Sequence, residues 1–189
     1  TPNREYLILT DFLDGAEEVD KVELNDEIID SALEAVRALW TSGLAHRDIK
    51  PANVMVKDQQ VYLIDVAFGE VRPSPWREAV DLANMMLILA LNSSPRHVLD
   101  RARLLFTDAE LSEAVAAARG ITLPSQLRRQ LRDDSRSLLD DYRALLPETP
   151  SVKIQRWSWR RLLLTVAVAL AAALMVAIVL GNLDAIGLI

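Results

Sequence analysis

Four polar side chains in the middle of the chain have types and spacing that suit proton transfer and metal binding. Asp48, Lys50 and Asn53 fall within six residues, and Asp65 follows seventeen positions after Asp48. A carboxylate can take a proton from a hydroxyl group, and a lysine can balance charge on phosphoryl oxygens. Carboxylate and amide oxygens are the hard ligands that Mg²⁺ prefers. The simpler alternative is that Asp48 and Asn53 only form a turn and that Lys50 is a solvated surface residue.

The segment around these residues matches a known pattern. Residues 46–53 read His-Arg-Asp-Ile-Lys-Pro-Ala-Asn and carry all five informative residues of the motif H-R-D-x-K-x-x-N. Leu63-Ile64-Asp65 then stands where the metal-binding aspartate of a D-F-G motif belongs. On these residues the chain resembles the protein-kinase-like superfamily.

The resemblance implies a role for each of these residues. Asp48 would be the catalytic carboxylate, and Lys50 would assist catalysis and contact the nucleotide. Asn53 and Asp65 would bind Mg²⁺ and, through it, the nucleotide, so ATP and Mg²⁺ are the expected cofactors. His46 is expected to pack beneath the loop rather than to act as a base.

Two residues near the loop have open interpretations. Asp81 resembles the buried helical aspartate that holds the backbone of the catalytic loop in the family, but it could instead cap its own helix. Arg47 contacts a phosphorylated activation loop in many kinases. Because Ser74 is the only hydroxyl residue between Asp65 and Asp81, a structural role for Arg47 is favoured.

The sequence departs from the family pattern before the catalytic loop. No glycine-rich loop, strand lysine or helix glutamate precedes that loop. Residues 6–12 are expected to be the last N-lobe strand and the hinge, within an N-lobe remnant at 1–20. This predicts that the chain is a fragment whose upstream part has been removed, so that these residues alone bind ATP weakly and are inactive. Alternatively, the protein has lost catalysis.

The segment after the loop departs from the pattern as well. Asp65-Val66-Ala67 replaces D-F-G, so we expect a stiffer backbone at Ala67 and a less filled core at Val66. The gap between Asp65 and Asp81 is too short for a full activation segment, and no A-P-E motif appears. Compact kinases of the RIO type and the bacterial lipopolysaccharide kinases are similar in this respect. The acceptor remains open between protein, lipid and sugar.

The surrounding pattern predicts a mainly α fold with a small β-hairpin. A helix is expected over residues 25–40 with a stop at Gly43, and a hairpin from strands at 54–56 and 61–64. An apolar, buried helix is expected at 76–91, and a capping box at Thr107 should open a helix that ends at Gly120. Pro124 would begin a long helical stripe over 127–145. Residues 21–147 would form a kinase-like C-lobe.

Composition excludes several functional classes. The net charge of −6 argues against a nucleic-acid partner, which needs a basic surface to meet phosphates. The absence of cysteine excludes disulfides and cysteine-ligated zinc, and two histidines are too few for a histidine-rich metal site.

The C-terminal part predicts a membrane anchor. Residues 162–181 contain no charged residue and are about long enough to cross a bilayer. A basic linker at 148–161 precedes this segment and no Lys or Arg follows it, which predicts a single-pass span with the lobe in the cytoplasm and a tail at 182–189. Trp157 and Trp159 would lie at the headgroup level, or else pack on the lobe.

The sequence favours a membrane-anchored, kinase-like phosphotransferase that transfers phosphate from ATP to a hydroxyl acceptor. The expected partners are nucleotide and membrane lipid. One alternative is a regulatory pseudokinase that scaffolds a protein partner. Another is a cytosolic appendage of a membrane protein with further spans.

Overall fold

The computed structural model describes residues 12–147, 163–164, 166–172 and 175–176. The chain divides into two units, Thr1–Val152 and Lys153–Ile189. The described part of the first unit is mainly helical with small antiparallel sheets, which confirms the predicted class. The strand predicted within residues 6–12, the linker at 148–161 and the tail at 182–189 lie outside the described residues, apart from Phe12.

The elements of the first unit follow one another in a fixed order. They are β1 (Glu17–Glu18), α1 (Asp26–Thr41), β2 (Leu44–Ala45), β3 (Val54–Lys57), β4 (Gln60–Leu63), β5 (Glu70–Val71), α2 (Pro75–Leu91), α3 (Pro95–Ala102), α4 (Asp108–Ala117), α5 (Ser125–Asp133) and α6 (Leu138–Leu145).

Local sequence signals explain both ends of α1. The Asn25 side chain accepts a hydrogen bond of 3.0 Å from the backbone N–H of Ile28, so it caps the first turn. Leu33 and its neighbours at helical spacing are fully buried. Gly43 has a φ of 65°, a conformation that glycine adopts without strain and that ends helices. The predicted helix and its predicted stop are confirmed.

A hairpin carries the residues that follow the loop. β3 and β4 pair antiparallel with Val54 opposite Leu63, and β1 pairs with the other edge of β3. A second small sheet, which the sequence did not predict, pairs β2 with β5. Since Asn53 directly precedes β3 and residues 64–65 directly follow β4, the hairpin brings the end of the loop beside Asp65.

Helix α2 is the centre of the lobe. Every residue from 79 to 90 is buried, as the continuous apolar pattern predicts for a helix surrounded by others. α1, α3, α4, α5 and α6 all pack against it. This central position lets polar residues of α2 reach the loop from within the core.

The structure corrects two helix boundaries. The helix that opens at the Thr107 capping box ends at Ala117 rather than at Gly120, because the backbone N–H of Arg119 donates to the Thr122 hydroxyl at 2.9 Å instead of continuing the helical ladder. The predicted stripe over 127–145 is two helices, α5 and α6. The backbone N–H of Arg136, which lies between them, donates to Asp134 Oδ1 at 2.7 Å instead of to a helical carbonyl, and the Arg136 guanidinium donates to the carbonyls of Leu91 and Ser93.

In the second unit the described residues between 163 and 176 are helical and exposed. Within the described ranges, no helix has the length and apolar character that a membrane crossing requires. The segment 162–181 lies only partly in those ranges, so the predicted span remains a prediction.

Candidate functional site

The loop at residues 46–53, which carries Asp48, Lys50 and Asn53, is attached at its beginning to the core through Asp81. This residue of α2 is 0% exposed. Its Oδ2 accepts from the backbone N–H of His46 at 2.5 Å, and its Oδ1 accepts from the backbone N–H of Arg47 at 2.9 Å. The predicted role in holding the loop is confirmed, whereas the N-cap position of α2 belongs to Ser74. Burial raises the pKa of Asp81, and the two backbone N–H groups oppose that rise.

His46 links the loop to the segment before Asp65. Its ring is buried, and Nε2 lies 2.9 Å from the Ile64 carbonyl oxygen. The Asp48 backbone N–H donates to Nδ1 at 3.3 Å, which leaves the ring proton on Nε2 for the Ile64 carbonyl. The imidazole is therefore a structural bridge, as predicted.

Three of the predicted site residues form one hydrogen-bonded cluster. The Lys50 ammonium donates to Asp48 Oδ2 at 2.5 Å. The buried Asn53 donates through Nδ2 to the same oxygen at 3.1 Å and to the Asp48 carbonyl at 2.9 Å. Both donors contact Oδ2, and within residues 12–147 no donor contacts Asp48 Oδ1. One oxygen of a positioned carboxylate thus remains for a hydroxyl donor.

The same bonds orient the Asn53 amide. Because Nδ2 is turned toward Asp48, the hydrogen-bond network directs the acceptor atom Oδ1 to another side. The backbone of the residue is fixed as well, since Asn53 N–H donates to the Lys50 carbonyl and the Asn53 carbonyl accepts from Ile64. A hard oxygen ligand is therefore held rigidly at the end of the loop.

Asp65 lies next to Asn53 because of a backbone hydrogen bond, and not because of a hydrogen bond between their side chains. The Ile64 N–H donates to the Asn53 carbonyl at 3.0 Å, and Asp65 is the next residue. Asp65 is exposed and has left-handed backbone angles of 59° and 63°, which aspartate tolerates better than most residues. Within residues 12–147 its carboxylate makes no hydrogen bond.

The donor set suits a magnesium ion held together with phosphates. Among the described residues, no three Asp, Glu or His side chains form a group that could hold a metal ion by themselves. Mg²⁺ needs no such group, because it usually keeps several waters and takes one or two protein oxygens plus substrate phosphates. The Asn53 amide oxygen and the exposed Asp65 carboxylate fit that requirement.

The segment after Asp65 differs from the prediction. Val66 is 66% exposed rather than packed into the core, and Phe68 is also exposed. The chain leaves the hairpin through the left-handed turn at Asp65 and forms a 3₁₀ turn over Val66–Phe68. These side chains consequently lie on the surface of the described lobe.

Arg47 has a structural partner that the sequence did not reveal. Its Nε lies 3.4 Å from Glu70 Oε2 on β5, and the Nε of Arg77 lies 3.7 Å from the same oxygen. Glu70 and Arg77 were not predicted as site residues. No local spacing rule links them to Arg47: the pairing of β2 with β5 brings Glu70 close to it, and Arg77 approaches Glu70 from α2.

Taken together, the structure joins Asp48, Lys50 and Asn53 in one cluster and brings the backbone of Asp65 beside it. No protein-family model matches the chain, and no solved structure is significantly similar to it.

Proposed function

We propose that this lobe is the catalytic part of a kinase-like phosphotransferase that phosphorylates a hydroxyl acceptor with ATP and Mg²⁺. The main support for the proposal is the pattern of hydrogen bonds to the Asp48 carboxylate. Lys50 and Asn53 occupy Oδ2, and Oδ1 has no donor within residues 12–147. A general base needs this arrangement, in which the carboxylate is fixed in place but keeps a lone pair for the incoming hydroxyl.

Each residue has a defined task in this proposal. Asp48 orients the acceptor hydroxyl and takes its proton at Oδ1 as the oxygen attacks the phosphoryl group. The Lys50 ammonium places a positive charge beside that carboxylate, where charge on the transferring phosphoryl oxygens develops. Asn53 Oδ1 and Asp65 would hold Mg²⁺, which when bound neutralises the phosphate charge. Asp81 keeps the loop in position from the core.

The metal site can be tested with Mn²⁺, which accepts the same oxygen ligands and broadens nearby NMR signals. In a chain that also carries a glycine-rich loop and a strand lysine, we expect Mn²⁺ and ATP to broaden selectively the signals of the Asn53 side-chain amide and of the Asp65 backbone amide. Asp65→Asn should abolish this broadening, because a neutral amide is a weaker ligand than a carboxylate. The matched control is Asp58→Asn, which removes an equally exposed carboxylate from the hairpin turn. Broadening that is uniform, or that survives Asp65→Asn, contradicts the site.

The role of Asp48 can be tested by turnover. In a chain that also carries a glycine-rich loop and a strand lysine, Asp48→Asn should lower phosphoryl transfer by about 10²–10⁴-fold. The control Asp58→Asn should leave transfer unchanged. For the 189 residues alone we expect weak ATP binding and no useful turnover, because these phosphate-binding elements are absent from the sequence. Unchanged turnover in Asp48→Asn would refute the assignment of the base.

A regulatory binding module is the second candidate. It is favoured by the exposed apolar side chains Val66, Phe68 and Val71, which follow directly on the metal-binding segment. Contiguous exposed apolar side chains often mark a contact with another protein. A pseudokinase of this kind predicts no nucleotide-dependent change in melting temperature, even for a chain that carries the phosphate-binding elements.

We further propose that residues 162–181 anchor the lobe to a membrane with the lobe in the cytoplasm. The support is compositional: the segment has no charge and the basic residues all precede it. Liposome flotation tests this proposal. The intact chain should float, a chain that ends at residue 152 should not, and Val168→Arg should weaken the association. Flotation that is independent of these residues would contradict the anchor.

A further inference from the structure

A cavity of about 330 Å³ lies where the catalytic loop begins and α2 starts. It is lined by Arg47, Trp76, Arg77, Val80, Ile121 and Thr122. None of these residues belongs to the cluster of Asp48, Lys50 and Asn53. The cavity is therefore a separate feature of the surface next to the proposed base.

The cavity has unused positive charge. Arg47 and Arg77 both approach one carboxylate oxygen of Glu70, at 3.4 and 3.7 Å. These distances give electrostatic attraction rather than good hydrogen bonds. Within residues 12–147 neither guanidinium donates a hydrogen bond to any side chain or carbonyl. Two cations with one shared anion leave a net positive charge and a full set of planar donors, which suits a phosphate group.

The cavity also has an apolar wall. Trp76 is partly buried against the core, and Val80 beneath it is buried. Ile121 is 91% exposed, the highest value among the exposed large apolar side chains of the described residues. A ligand that combines an anionic group with an apolar part would cover both walls and remove Ile121 from water.

The cavity lies next to the loop that carries Asp48, and this position suits a ligand that takes part in the reaction. Arg47 directly precedes Asp48, and consecutive Cα atoms lie about 3.8 Å apart. A phosphate held by Arg47 and Arg77 would lie next to the start of the loop that carries Asp48, and the proposal has the remainder of its molecule extend toward the Asp48 carboxylate. Such a group would orient the acceptor hydroxyl rather than supply the phosphoryl group that is transferred.

We propose that this cavity binds the acceptor, and that the acceptor is a phosphate-bearing alcohol with an apolar part. The assignment as acceptor rests on the proposed phosphotransferase function. The phosphate could belong to a soluble phosphate ester or to a lipid headgroup, and the two sources share the same recognition chemistry.

Calorimetric titration without nucleotide or divalent metal tests the cavity itself. The probes are glycerol 3-phosphate and 1-hexanoyl lysophosphatidic acid, which keeps a free hydroxyl group and is used below its micellar concentration. Both should bind. Arg77→Gln should weaken both by about tenfold, because one charge-assisted pair is lost. Glu70→Gln should strengthen both severalfold, because it removes the carboxylate that competes for the two arginines.

Matched controls separate local from general charge effects. Arg96→Gln on α3 and Glu34→Gln on α1 change the net charge by the same amounts at exposed positions away from the cavity lining. They should leave both affinities unchanged. Trp76→Ala should weaken the binding of 1-hexanoyl lysophosphatidic acid more than that of glycerol 3-phosphate. Tighter binding of the acylated probe assigns the site to lipid-type acceptors. Equal affinities would overturn the apolar part of the proposal and leave a soluble phosphate ester as the ligand.

The cavity proposal is overturned if neither probe binds, or if Arg77→Gln and Arg96→Gln have equal effects. The opposite sign expected for Glu70→Gln guards against a trivial loss of folding. The Mn²⁺ experiment separates this proposal from the proposed function. Phosphate binding without selective broadening at Asn53 would overturn the acceptor role and leave an anion site, whereas broadening without phosphate binding would refute the cavity alone.

Discussion

The carboxylate of Asp81 accepts a hydrogen bond of 2.5 Å from the backbone N–H of His46, although 35 residues separate the two in the chain. Its other oxygen accepts from the next backbone N–H. The start of the loop at residues 46–53 is thereby joined to α2, the central helix of the lobe. Loop position and core stability are consequently linked through one side chain.

Replacing Asp81 by asparagine tests this link. The amide keeps one acceptor and turns an NH₂ group toward a backbone donor, so we expect a loss of about 1–3 kcal/mol in unfolding free energy. Urea unfolding measures the loss. Asp100→Asn, at an exposed position of α3, is the control and should change stability little. A fully stable Asp81→Asn protein would show that these hydrogen bonds contribute nothing net.

The stability of Asp81→Asn relative to wild type should also depend on pH. Burial raises the pKa of Asp81 above its ordinary value of 3.8, against the opposing backbone hydrogen bonds. The folded state therefore holds this proton more tightly than the unfolded state. The stabilisation that this proton gives is fully present below pH 3.8 and is lost as the pH rises through the raised pKa of Asp81. The stability difference between wild type and Asp81→Asn should shrink over that rise and then become constant.

Glu110 gives a pH dependence of the opposite sign. Burial alone would raise its pKa, but hydrogen bonds from Arg37 and Thr107 lower it below the ordinary 4.5. Glu110→Gln keeps the capping box and removes the ion pair, in which two Arg37 nitrogens lie 3.1 Å from the carboxylate oxygens. We expect a loss of about 1 kcal/mol near neutral pH.

The stability that Glu110→Gln loses should become smaller at acidic pH. The ion-pair contribution is present above pH 4.5 and disappears as the pH falls through the lowered pKa of Glu110. Unfolding curves at several pH values measure it, with Glu34→Gln as the control for an exposed glutamate. A loss that stays constant down to strongly acidic pH would mean that the packing of Glu110, and not its charge, stabilises the fold.

Asn84 is a position where substitution should stabilise the protein. Its side chain is 1% exposed on α2, and among the described residues neither amide atom has a hydrogen-bond partner. Leucine has a similar size and no polar group to desolvate, so Asn84→Leu should raise the unfolding free energy by about 1–2 kcal/mol. Ser112→Ala, at another buried and unpaired side chain, should be neutral or mildly stabilising. A destabilised Asn84→Leu protein would indicate that the amide is hydrogen-bonded in solution.

The hairpin turn should also accept a stabilising change. Asp58 and Gln59 both have positive φ, 48° and 62°, which strains residues other than glycine. Gln59→Gly should add about 1 kcal/mol of stability, despite loss of an exposed hydrogen bond from Asn25. Gln60→Gly is the matched control: it lies in β4, where glycine weakens the strand, so it should destabilise. Thermal unfolding of both variants should therefore show shifts of opposite sign.

Several features of the fold were predictable from the sequence because they depend on neighbouring residues. The capping box at Thr107 and the glycine stop at Gly43 involve atoms within one helical turn. The cluster of Asp48, Lys50 and Asn53 also spans only six residues, so the loop pattern predicted its membership.

Other features were not predictable because they depend on distant partners. The guanidinium of Arg136, which lies between α5 and α6, donates to the carbonyls of Leu91 and Ser93, more than 40 residues away. Val66 is likewise exposed although its side chain is apolar, so its hydrophobicity alone predicted the wrong burial.

By itself, the sequence determined which groups form the candidate site and the helical class of the lobe, since residue type and spacing limit local hydrogen bonding and burial. Only the tertiary structure decided that Arg47, Glu70 and Arg77 meet beside the loop. That meeting depends on the pairing of β2 with β5. Such long-range pairing follows from the packing of the whole lobe, which no local pattern of residues specifies.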